Sequence, residues 1–97
     1  MIKVIYSKNI IKISGHANYD EYGKDIVCAS VSSIISCTIN AILNINDKAI
    51  KYNDDKDLVI EILSSDEITS KLIKNMLELL QDLTKQYPKN IKISKGE

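Results

Sequence analysis

An excess of one charge is missing from this sequence: its 13 basic and 13 acidic residues cancel. Nucleic-acid binders ordinarily carry a net positive field that displaces counterions from phosphate, so direct nucleic-acid binding is disfavoured. No apolar run approaches the roughly 20 residues that span a bilayer. The most apolar stretch, Ile26 to Ile45, is interrupted by Ser30, Ser32, Ser33, Ser36, Thr38 and Asn40, as in a buried helix of a soluble domain. Two cysteines provide no disulfide framework. The opening Met1-Ile2-Lys3-Val4-Ile5-Tyr6 alternates as a strand and is too short and too polar for a signal peptide. These features predict a cytoplasmic protein with no membrane partner. Trp and Phe are absent, so all five aromatics are Tyr and the apolar content is mostly Ile, Leu and Val. With a single His and two Cys, a zinc site, which usually needs four ligands, is set aside.

What is present predicts one domain over residues 1–97. Residues 2–6 and 10–14 are β-branched runs joined by Ser7-Lys8-Asn9, a hairpin pattern. The polar stretch from Gly15 to Lys24 holds two of the three glycines and reads as a loop. Asp25 is placed to cap a helix running to about Asn44, with Val27, Val31, Ile34, Ile35, Thr38 and Ile42 on its buried face. Strands follow at 49–53 and 58–63, joined by Asp54-Asp55-Lys56-Asp57. Ser64 with Glu67 has the capping-box pattern. The second helix then runs to about Gln86, with Ile68, Leu72, Met76, Leu79, Leu80 and Leu83 as its apolar stripe. Pro88 stops it, and residues 91–94 read as a last edge strand. The order ββαββαβ predicts an α+β fold: two layers, with two helices packed on a mixed or mainly antiparallel sheet. The chain has no internal repeat, linker or low-complexity segment.

Any Cys–His chemistry must use His16. Cys28 and Cys37 are nine residues apart, which at about 100° per residue points the thiols to opposite sides of the helix. Cys28 lies in the first turn, where unpaired amides and the macrodipole favour a thiolate. Cys37 lies mid-helix in an apolar segment, where a thiol is ordinarily inert. The same free amides can donate to an oxygen that becomes negative when a thiolate attacks a carbonyl. The loop between His16 and Cys28 is long enough to fold the two together. Ser32 follows Cys28 by one turn on the same face and is placed to support the thiol or contact substrate. Asp25 suits capping, orienting His16, or both; Asn18, Asp20 and Glu21 are alternative partners for the imidazole. Each residue has an ordinary reading as well: a surface His, a small core Cys, an N-cap Asp, a filler Ser and a turn Gly.

The run Gly15-His16-Ala17 followed by Gly23-Lys24-Asp25-Ile26-Val27-Cys28-Ala29-Ser30-Val31-Ser32 resembles the signature of the ribosomal-processing cysteine protease (Prp) family. That signature is G-H-A, a short loop, then G-x-D-I-V-C-A-x-V-S. Ser30 stands where many relatives have Ala. The resemblance implies a cysteine endopeptidase with His16 as base and Cys28 as nucleophile. It assigns supporting or substrate-binding positions to Gly15, Ala17, Asp25 and Ser32, and requires no metal or cofactor. It further implies that the substrate is the N-terminal extension of a large-subunit ribosomal protein, that the protein is a homodimer, and that a loop over 17–24 closes on the peptide. Two rivals carry distinct expectations. A non-catalytic, ribosome-associated peptide-binding module predicts an unreactive Cys28. A thiol redox or acyl-transfer protein predicts a resolving thiol nearby, for which Cys37 is badly placed.

Overall fold

The computed structural model describes residues 1–15 and 26–96. Its elements are β1 (Ile2–Tyr6), β2 (Ile10–Ser14), α1 (Ile26–Ile45), β3 (Ile50–Asp54), β4 (Leu58–Ile62), α2 (Glu67–Gln86) and β5 (Ile91–Lys95). The expected order ββαββαβ is the observed one. The strands form a single sheet in the order β3-β4-β2-β1-β5. Its pairs are antiparallel except β1 with β5, which are parallel, with Ile2 beside Ile91.

Alternation along the strands decides which face is covered. Ile2, Val4, Ile11, Ile50, Ile60 and Ile91 point to one face and are buried. Their neighbours Lys3, Lys12, Lys51, Glu61 and Lys92 point to the other face and are exposed. Both helices therefore lie on the aliphatic face. They pack on each other, α1 also touching β3 and α2 touching β5. Val27, Val31, Ile35 and Ile42 of α1 join Ile73, Met76 and Leu80 of α2 and the strand residues in one core.

Three expectations about the helices need correction. By length and composition α1 is apolar enough to cross a membrane, which the serine interruptions had argued against. Its apolar residues instead supply a core face, while Ser32, Ser33, Ser36, Asn40 and Asn44 are exposed. The apolar stripe of α2 is rotated from the expected one: Thr69, Ile73, Met76 and Leu80 are buried, whereas Ile68 and Leu79 are exposed. The α2 cap also differs. Asp66, not Ser64, is the N-cap, its carboxylate accepting from the Thr69 amide at 2.8 Å. Ser64 donates to the same carboxylate, and Glu67 pairs with Lys71 at 3.1 Å one turn on.

Candidate active site

Cys28 is the third residue of α1 and so lies in its first turn. The opening amides of a helix have no partner within it, and they make this end partially positive. The first turn of α1 carries no acidic side chain to offset that field. Val27 and Val31, both buried, anchor this end of the helix and fix the direction of the thiol between them. Cys28 itself is half-buried and packs against the core.

The thiol opens into a cavity of about 430 Å³. Its floor is apolar: Ile2 and Ile13 from the sheet, Val31 and Ile35 from α1, and Leu58 from β4. Ser14 and Gly15 at the end of β2 form one part of the rim, and Ser32 and Ser36 of α1 form another. Of the residues singled out from sequence, Gly15, Cys28 and Ser32 are thus brought to one cavity. His16, Ala17 and Asp25 lie outside the described residues, as does the expected loop over 17–24. Cys37 does not line the cavity. It is exposed on the polar side of α1, contrary to its expected apolar surroundings.

Gly15 is where β2 hands the chain on to His16. Its φ is +84°, and a Cβ there would lie 2.3 Å from the Met1 carbonyl oxygen. Both the left-handed backbone and the close passage of residue 1 require glycine. The backbone before His16 therefore leaves β2 in a fixed direction.

Sequence reading missed the third wall. Asp54 at the end of β3 and Lys56 and Asp57 of the β3–β4 turn line the same cavity. The turn gets there because β4 pairs antiparallel with β2, setting Leu58 against Ile13. Asp57 meets Lys12 of β2 at 3.6 Å across that pair. No local signal could have revealed this, since it depends on strand order.

A larger cavity, about 550 Å³, lies at the other end of the sheet between α2 and the β1–β2 turn. It contains neither thiol nor imidazole among its described lining residues. The chemistry therefore belongs to the smaller cavity, where a nucleophile is present.

A half-buried thiol at a helix start is suited to attack a carbonyl, and an apolar cleft with a polar rim can hold a stretch of peptide. This is the architecture of a cysteine peptidase. The family model described as cysteine protease Prp matches residues 1–92, and the chain belongs to that family; it is a cysteine protease. The ribosomal processing cysteine protease Prp of Staphylococcus aureus is 33% identical over 86 residues, covering 84% of this chain and 81% of that protein. The S. aureus protease solved with a covalently linked product peptide superposes with a TM-score of 0.92 at 26% identity, covering 99% of this chain and 100% of that one. Solved with a substrate peptide, it gives a TM-score of 0.87 at 25% identity, again covering 99% and 100%.

Proposed function

We propose that this protease removes the N-terminal extension of a large-subunit ribosomal protein, with Cys28 as nucleophile and His16 as base. The observation that carries the reading is the thiol in the first turn of α1, open to a peptide-sized cleft and preceded in sequence by the Gly15-His16-Ala17 motif. The substrate reading is supported by the S. aureus relative, which is named for ribosomal processing.

In the mechanism, His16 takes the Cys28 proton and the thiolate sulfur bonds to the scissile carbonyl carbon. The carbonyl electron pair moves to oxygen, where amides at the start of α1 donate to it. The tetrahedral adduct collapses, the C–N bond breaks, and His16 gives its proton to the leaving amine. Water, deprotonated by His16, then attacks the thioester; the acid is released and the thiol regenerated. Gly15 directs the chain toward His16. Asp25 and Ala17 support the dyad from the motif, and Ser32 contacts substrate from the cavity rim.

The working form is a cytoplasmic homodimer. Cys28 and Cys37 form no disulfide, which suits a reducing compartment. Ile45, Ile68 and Leu79 are 58%, 53% and 41% exposed; Ile45 and Ile68 line one shallow hollow between the helices. Leu79 follows Ile68 by eleven residues, nearly whole turns, so it continues the same stripe. Covering such a stripe with its copy removes apolar surface from water.

The test is mass spectrometry of a peptide spanning the extension and the mature start of the host's ribosomal protein. One cut by wild type, absent with Cys28→Ala, is the expected result. A peptide that both proteins bind and neither cuts would instead favour the binding-module reading. Sedimentation of wild type against Ile68→Glu reads the dimer.

A further inference from the structure

The end of β3 and the β3–β4 turn contribute charge to a cavity whose floor is otherwise apolar, and of the two carboxylates there one is not ion-paired among the described residues. Asp54 is the last residue of β3 and stands directly opposite Leu58. Directly opposed residues put their side chains on the same face of a sheet. Leu58 faces the helices, packs on the core and lines the Cys28 cavity. Asp54 therefore points to the side from which Cys28 opens. Asp57, the other carboxylate of this wall, is engaged by Lys12 at 3.6 Å. Among the described residues Asp54 enters no ion pair, and it is exposed.

We propose that Asp54 is a specificity-determining residue: it recognises a lysine or arginine of the peptide substrate close to the scissile bond. The aliphatic stem of that residue lies along Leu58 and Ile35, and its cationic head meets the Asp54 carboxylate at the rim. Long basic side chains divide in this way between apolar and wet surroundings. The proposal rests on the cut at Cys28 proposed above and gives it a charge preference. A ribosomal protein suits it, because chains that lie against RNA phosphate are rich in Lys and Arg. Lys56 lies on the same wall with the opposite sign, so it works against Asp54. The size of the discrimination is set by the difference between them.

The experiment uses peptides spanning the cut site of the host's ribosomal protein, identical except that one position at a time is Lys, Gln or Glu. Affinity is measured by fluorescence anisotropy on the Cys28→Ala protein, and kcat/KM on wild type. At one position Lys should be preferred over Gln by about two- to fivefold at low salt, the range expected of an exposed pair. The preference should shrink in about 0.5 M salt, where screening acts within a few ångströms. Adding Asp54→Asn should bring the Lys:Gln ratio to one or below, because Lys56 remains; Asp54→Lys should turn the preference toward Glu, and Lys56→Gln in the wild-type background should raise the preference for Lys. A folding defect would weaken all peptides alike and leave the ratio unchanged, so the ratio reads recognition. If the ratio is unmoved by Asp54→Asn at every position, the proposal is wrong. Binding to the Cys28→Ala protein gives that answer whether or not wild type cuts, while cleavage by wild type separately judges the proposed function.

Discussion

Replacing Gly15 with alanine tests how the fold aims the chain toward the catalytic loop. Left-handed backbone costs an L-residue about 1–2 kcal/mol. The added Cβ would also sit 2.3 Å from the Met1 carbonyl oxygen, where ordinary contact begins at 3.4 Å. One backbone must therefore retreat by roughly 1 Å. The β1 side cannot yield easily: Ile2 is 3% exposed, and its amide donates to the Asn90 carbonyl at 2.8 Å. The displacement falls instead on the chain leaving β2, which carries His16. Strain and displacement together should cost about 2–4 kcal/mol. That is within the roughly 5–15 kcal/mol of a domain this size, so the variant should fold. Gly96→Ala is the control, because its Cβ would meet the γ2 methyl of the exposed Ile5 side chain at 2.9 Å and no backbone atom closer than the Tyr6 carbonyl oxygen at 3.7 Å. In urea, Gly15→Ala should lower the midpoint by about 1–2 M and Gly96→Ala far less. Peptide cleavage by the folded Gly15→Ala protein should fall at least tenfold. Equal midpoints and equal cleavage for the two variants would refute the reasoning.

Cys28→Ala should abolish cleavage in the mass-spectrometric assay while changing stability by no more than about 1 kcal/mol, as a half-buried small residue allows. Alkylation of Cys28 should slow when His16→Ala is introduced; because Cys37 is exposed and would react too, the comparison must be made in a Cys37→Ser background. Ile60→Ala should destabilise by about 2–5 kcal/mol in denaturant unfolding, since Ile60 is fully buried opposite Ile11. The Asp66 carboxyl is held below its ordinary value of 3.8, first by the hydrogen bond from Ser64 and then by the Thr69 amide. A carboxyl lowered in the fold stabilises it fully above that ordinary value, and the contribution is lost as pH falls through the lowered one. Asp66→Asn should therefore flatten the acid limb of urea midpoints measured from pH 2 to 6.

Much of the architecture was legible locally. Alternating β-branched runs marked β1, β2 and β4, and Ser64 with Glu67 marked the start of α2 to within a residue or two. The stripe of α2 was misread because Ile68 and Leu79 look like core residues. Their true setting depends on how far α2 rotates against α1, which no single helix encodes. At the site, Cys28 and Ser32 could be related because one helix carries both, and Gly15 because a turn after a strand favours glycine. Asp54, Lys56 and Asp57 could not be related to Cys28. Only the insertion of β4 between β3 and β2 brings them there, and strand order is a non-local outcome of which aliphatic faces pair. Cys37 was judged by its apolar neighbours in sequence, whereas its exposure follows from the polar stripe it shares with Ser33, Asn40 and Asn44.

The parallel pairing of Ile2–Tyr6 with Ile91–Lys95 has a consequence for when the enzyme becomes active. Ile2 forms part of the floor beneath the nucleophile, yet its strand is flanked on one side by a segment far along the chain, with Ile2 beside Ile91. Until that segment is in place, β1 has an open edge and the floor of the cleft lacks its flanking support. Pairings between such distant segments also form slowly. The cleft beneath Cys28 is therefore completed by a pairing between segments far apart in the chain, and cutting power arrives with the whole fold rather than with any one part of it.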